Sequence, residues 1–164
     1  QGEFNMVRPY MYSHYDGEDN YAHLNQPLAH PWGANFYEIV ARAQYNYKRF
    51  YFQYKMNFGQ WGDDITTEDG EFQYYGHDIY PNYQDYYHIE GEKGKYGHYM
   101  LTGELNTMMM NNLVVSWLVN PSYNLNVFAE VTHRNQKIEG LDDINNFIIS
   151  FGIRTTLDRK YYDF

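Results

Sequence analysis

The sequence predicts an antiparallel all-β chain, on three observations. Stretches of apolar and polar residues alternate with a period of two, none carries the roughly 3.6-residue period of an amphipathic helix, and the connections between them alternate long and short. Side chains point to opposite faces in turn along a strand, so each such stretch has one apolar and one polar face.

The first stretch, "EFNMVRPYMYSH" (3–14), alternates as far as Val7 and becomes ambiguous at Pro9, whose missing N–H suggests a bulge or an edge. The second, "NFYEIVARAQYNY" (35–47), sets Tyr37, Ile39, Ala41, Ala43, Tyr45 and Tyr47 against Glu38, Val40, Arg42, Gln44 and Asn46. In the third, "RFYFQYKMNFG" (49–59), Phe50, Phe52, Tyr54, Met56 and Phe58 oppose Arg49, Tyr51, Gln53, Lys55 and Asn57. The fourth covers about 105–119, with Leu113, Val115, Trp117 and Val119 opposite Asn112, Val114, Ser116 and Leu118. The fifth, 125–136, puts Leu125, Val127, Ala129 and Val131 opposite Asn126, Phe128, Glu130, Thr132 and Arg134. The sixth opens at Phe147 and places Ile149, Phe151, Ile153, Thr155 and Leu157 beside it, opposite Ile148, Ser150, Gly152, Arg154, Thr156 and Asp158.

The connections sharpen the fold class. Short turns are expected at 47–48 and at "NPSYN" (120–124), and long loops at 15–33, 60–102 and 137–145. Loops of about forty residues are rare inside compact soluble domains. Short turns at one end and long loops at the other form the pattern of an outer-membrane barrel, with the turns periplasmic and the loops extracellular. The expected fold is thus an antiparallel transmembrane β-barrel in the bacterial outer membrane, with 1–164 as one barrel domain or a fragment of one. Its apolar faces would meet lipid and its polar faces a lumen, and about 9–11 residues per strand suffice to span. Six strands are too few to close, because such barrels use about eight or more and an open edge in lipid leaves backbone groups unpaired. Two further segments, "EFQYYGHDIY" and "YQDYYHI", are broken by Gly76, His77, Asp78, Gln84 and Asp85, so an extracellular hairpin is expected there. The chain reads as about six C-terminal strands of a larger barrel. A secreted, carbohydrate-binding β-sandwich would also alternate, but it does not account for loops segregated by length.

Composition narrows the function. The net charge of −9 leaves no basic face for nucleic acid. With no cysteine there is neither a disulfide framework nor a thiolate metal site. No apolar run approaches the roughly 20 residues of a transmembrane helix. The start, Gln-Gly-Glu-Phe, has no apolar signal core and suggests a processed product or an internal fragment. The 20 tyrosines suit interfaces, since the ring is apolar and its tip is wet.

The polar faces offer Glu38, Arg42, Lys55, Glu130, Arg134 and Arg154 as lumen-facing charges, expected to pair across strands or else to tune a pore. Loop aromatics, foremost Trp32, Trp61, Tyr74, Tyr80 and Tyr86, lie among Asp64, Asp78, Asp85 and His88. Rings stack on sugar faces while carboxylates take hydroxyls, so these form a candidate glycan-binding set, against the plainer reading that they pack the loops together. His14, His23 and His30 lie near Asp16, Glu18 and Asp19 but match no ligand spacing, so an ordered loop without metal or cofactor is expected. Ser13, Ser116, Ser122 and Ser150 find no converging base, and no enzyme is expected.

Three segments carry a resemblance: "VRPYMYSHYD" with "NYAHLNQPLAHPWGANFYE", then "LVVSWLVNPSYNL", then "FIISFGIRTTLDRKYYDF". They cover about half the chain and resemble the C-terminal end of outer-membrane barrels of the Bacteroidota, the capsule-assembly Wzi-like and gliding-motility RemB-like proteins. Phe164 resembles the terminal phenylalanine that such barrels carry as an assembly signal, although the alternation loses phase near Arg159 and Lys160. The resemblance implies a barrel of about 14 to 18 strands. It also implies lipid and the barrel-assembly machinery as partners, with surface polysaccharide or other outer-membrane proteins. The implied role is capsule or exopolysaccharide attachment, or part of a motility or secretion complex; a porin-like channel is the runner-up. No residue role carries over.

Overall fold

The computed structural model describes residues 1–14, 17–24, 26–28, 30–81 and 98–155. Alternation becomes strand wherever it was strong. In chain order the strands are β1 (Gly2–Val7), β2 (Ala22–His23), β3 (Gln26–Pro27), β4 (Phe36–Tyr47), β5 (Phe50–Asp63), β6 (Ile65–Thr66), β7 (Phe72–Gln73), β8 (Glu104–Asn120), β9 (Leu125–Ile138) and β10 (Ile144–Arg154). Six of them form one antiparallel sheet in the order β1-β4-β5-β8-β9-β10. The pairs β2-β3 and β6-β7 are small ribbons outside it. Among the described residues helix is confined to short 3-10 turns, Gly17–Asp19 and Pro121–Tyr123. The sheet is open, and among the described residues no barrel closes, because β1 and β10 each have a neighbour on one side only.

Several boundaries differ from the sequence expectation. The first strand ends at Val7 instead of His14: Pro9 cannot donate to a ladder, and Tyr10 takes the left-handed region at φ 60°. The segment then leaves the sheet and bonds to the loops, with the Tyr10 N–H donating to Gly76 O at 3.0 Å. The first hairpin turn is Lys48–Arg49, because Tyr47 pairs with Phe50; Lys48 adopts φ 54°, the positive value that two-residue hairpins require. β5 runs on to Asp63, paired with Glu104, so the connection after it is shorter than 60–102. "EFQYYGHDIY" contributes only β7, outside the main sheet; "YQDYYHI" lies outside the described residues. The third long connection shrinks from 137–145 to 139–143. Its turn is closed by Leu141 N–H donating to Ile138 O at 3.1 Å. At the other short turn, the Asn120 side chain accepts from Ser122 N–H at 2.9 Å and Asn124 closes in the left-handed region.

Register joins the apolar halves of all six strands into one surface. Phe4 lies opposite Ile39, which pairs with Phe58, which pairs with Met109. Nearer the turns, Phe52 meets Val115, then Ala129, then Phe151. Among the described residues nothing covers this face: Phe4, Tyr45, Phe50, Leu113, Trp117, Phe147, Ile149 and Ile153 are all exposed, and Phe151 is 88% accessible. Toward the loops the apolar run stops at Tyr37 on β4, Phe58 on β5, Met109 on β8 (past Asn111, which takes the Tyr54 hydroxyl at 2.6 Å), Val131 on β9 and Phe147 on β10. Beyond those positions Gln60, Thr107, His133 and Asn145 face the same way. Toward the turns the surface ends in stacked rings, Phe50 on Trp117 at 6.4 Å and on Phe52 at 6.2 Å.

The buried core sits on the other, polar-patterned face. Val7, Ala34, Phe36 and Ile79 form it, with Tyr12, Ala22, Trp32 and Trp61 packed around them. Among the described residues it lies at the loop end, where the described parts of 8–34, with 64–81, fold back over the sheet as a cap. Gly59 makes room for it, since a Cβ there would come within 2.1 Å of the Trp32 ring.

Candidate functional site

The cap is held by a few polar side chains that satisfy backbone groups the ladder leaves open. Asn35 is fully buried; its Nδ2 donates to Gly62 O and Thr102 O, each at 2.8 Å, and its Oδ1 accepts from Leu101 N–H at 2.7 Å. One amide thus joins three segments far apart in sequence, in a left-handed conformation (φ 55°) that asparagine tolerates better than most residues. Asp64 does the same for the return segment, accepting from the N–H groups of Tyr75, His77 and Asp78. Burial raises the Asp64 pKa above its ordinary value, although these three donors favour the carboxylate. Asn20 accepts from His14 N–H and donates to Tyr80 O and Pro81 O, tying the first loop to the second.

Between the two loops lies a cleft of about 280 Å³, lined by Pro27, Pro31, Trp32, Gly33, Asp63, His77, Asp78, Ile79 and Tyr80. Trp32 is half-buried and Tyr80 is 44% exposed. Trp61 lies behind the cleft wall, 5.3 Å from Trp32 and stacked on His77 at 6.4 Å. The His77 Nδ1 is 2.7 Å from Ala34 O, which fixes it as the donor; Nε2 then faces Asp63 Oδ1 at 3.9 Å. An indole, a phenol, two carboxylates and an imidazole around one hollow can stack an apolar ring face and receive hydroxyl protons.

The structure sorts the glycan candidates. Trp32 and Tyr80 line the cleft, and Trp61 supports it. Tyr74 does not serve as a sugar platform: it is 1% exposed, its hydroxyl donates to Asp78 O at 2.6 Å and contacts Ser13, and Tyr10 packs edge-on against it at 5.0 Å. Burial accordingly raises its pKa well above the phenolic range. Tyr86 lies outside the described residues, as does Phe164. Asp63 and His77 were missed by sequence reasoning, and no local pattern marks them. Asp64 has no such cleft-lining role and serves the backbone.

All six polar-face charges do lie on one face. Arg42 sits directly opposite Lys55, and Arg134 opposite Asn146. Cross-strand ion pairing among them, one of the two expected roles, is not seen among the described residues. Among the described residues the ion pairs are His30 with Glu38 (3.0 Å), His77 with Asp63 and Lys137 with Asp143, and none joins two of the six. Glu38, 5% exposed, is held by Asn5, Asn57 and His30, while Glu130 accepts from Asn112 at 2.6 Å. Arg134 donates to Gln136, and Arg154 lies 5.2 Å from the Phe128 ring. Of the loop histidines, His30 lies 3.0 Å from Glu38, and among the described residues no cluster of three or more His, Asp or Glu could hold a metal. No family model, curated protein or solved structure matches the chain.

Proposed function

We propose that this chain is a non-enzymatic portion of an outer-membrane β-barrel that serves cell-surface assembly, its loop cap presenting the Trp32–Tyr80 cleft to a surface glycan. The observation that carries the reading is the uncovered apolar face. It amounts to on the order of 1,500 Å² of exposed apolar side chain, against the few hundred typical of a soluble monomer. Hydrocarbon is the medium that such a face, ending in stacked aromatic rings at the turn side, would suit. Further strands, from the same protein or from other copies, would then pair with the free edges of β1 and β10, since lipid offers backbone groups no partner. The likeness of the quoted segments to Wzi-like and RemB-like barrels suggests polysaccharide attachment, or a place in a motility or secretion complex.

The test is fractionation followed by gel mobility with and without boiling. The expected result is recovery with outer membranes and a compact band that shifts on heating. A chain that stays monodisperse in water without detergent would overturn the reading. A diffusion channel is the second reading, favoured by polar-face cations that form no ion pair among the described residues; single-channel conductance separates the two.

A further inference from the structure

The polar face holds a feature that the cap cleft does not use. Below the cap, on β4 and β5, a groove of about 460 Å³ is bordered by Glu3, Glu38, Arg42, Gln53, Lys55 and Asn57. Within it Arg42 and Lys55 are direct cross-strand partners, two cations side by side in register. Like charges in that position repel, and a sheet ordinarily places an acid there. None is present: neither residue takes part in an ion pair among the described residues. Arg42 donates to the neutral amide of Gln53 at 2.8 Å and remains exposed, with further guanidinium N–H groups to offer.

The groove's two acids are already engaged. Glu38 accepts from Asn5 at 2.9 Å, from Asn57 at 2.6 Å and from His30 at 3.0 Å, and is almost wholly buried. Glu3, opposite Val40 on the edge strand, accepts from the Gln1 side chain at 2.6 Å. Amide donors do not cancel a carboxylate's charge, so the groove holds two acids beside two cations. Among the described residues, however, neither acid forms an ion pair with Arg42 or Lys55, which stand next to each other instead.

We propose that Arg42 and Lys55 form a binding ledge for an oxyanion, a carboxylate or phosphate group, with Gln53 as an added donor. A guanidinium takes two oxygens of one such group side by side, and an ammonium supplies a movable point charge beside it. A uronic-acid polymer and free phosphate share this chemistry. The ledge concerns the polar face alone, so it holds or fails independently of what covers the apolar one.

The experiment is a calorimetric titration of the full chain at low ionic strength, in detergent micelles or in water, whichever keeps it dispersed. The probes are inorganic phosphate, an oligogalacturonate and a neutral maltooligosaccharide of equal length. The expected result is binding of an anion and not of the neutral sugar, weakened about tenfold by Arg42→Gln with Lys55→Gln. Binding should also weaken as salt is added. Phosphate alone binding identifies a small solute as the source; the oligogalacturonate alone identifies an acidic polymer. Arg134→Gln, on the same face without a second cation opposite, should leave binding unchanged. If the double variant does not fold, Lys55→Gln alone carries the test, with unchanged tryptophan fluorescence as the check. Equal binding by wild type and variant overturns the ledge, as does binding of neither anion, or neutral sugar bound as tightly as acidic.

Discussion

The two faces of the sheet invert the usual relation between pattern and burial. The face with the longer apolar alternation, from Phe4 across Phe52 and Val115 to Phe151 and interrupted on β8 at Asn111, is bare among the described residues. The face that reads as polar carries the only hydrophobic core among the described residues, around Phe36 and Ile79. A soluble two-layer protein would spend its longest apolar surface on its own interior. Here the described loop segments cover a small apolar patch at one end of the polar face and leave the larger surface alone. Alternation therefore tells which residues share a face, while burial tells which face these segments cover.

The sharpest way to break this comparison is to charge the bare face at its centre. Leu113→Arg should cost about 2–4 kcal/mol if the face meets hydrocarbon. Denaturant titration of the detergent-folded protein measures it, and a variant as stable as wild type would place water there instead. The next effect is on the covered face. Asn35→Ala strands two carbonyls and one N–H inside the cap, a loss of about 2–3 kcal/mol. Hydrogen exchange at Leu101 should quicken while β9 and β10 stay protected; equal loosening of both would mean that cap and sheet are one cooperative unit. A smaller loss, about 1–3 kcal/mol, is expected for Gly59→Ala, which drives a methyl into the Trp32 ring. A red shift of tryptophan emission should accompany it.

The smallest effect is one of pH. Burial favours the protonated form of Asp64, whose ordinary pKa is 3.8, so its folded pKa is raised despite its backbone donors. That contribution to cap stability is complete below 3.8 and is lost as pH rises through the folded value. Limited proteolysis of residues 64–81 should therefore speed up over that window in wild type and change less in Asp64→Asn. A wild-type cap that grows more resistant over the same window would reverse the sign.

The sheet was legible because period two is a local property: each strand announces its own faces, and the six expected strands are the six of the main sheet. Its limits were legible only where a residue forbids continuation, as at Pro9. The cap was not, because it is made by contacts such as Asn35 with Thr102 and Asn20 with Tyr80, which join residues far apart in sequence. Phe36 and Trp61 did leave a trace, as large aromatics out of phase with the apolar alternation at the loop ends of β4 and β5. Composition grouped Tyr74 with Tyr80, yet it cannot distinguish a ring buried under the cap from one that lines the cleft. The cleft acids illustrate the same limit: Asp63 and Asp64 are neighbours, and only the fold decides that one faces the hollow and the other the chain.

The uneven ends of the apolar run have a geometric consequence. By register, Tyr37 on β4 lies in the row of Gln60, Phe58 on β5 and Met109 on β8 share a row, and Val131 on β9 and Phe147 on β10 fall in the rows of Tyr54 and Met56. Between β4 and the last two strands the apolar border thus retreats from the loop end by about 13–20 Å, at a rise of about 3.3 Å per residue. A plane laid along that border would cut the strands obliquely, not squarely.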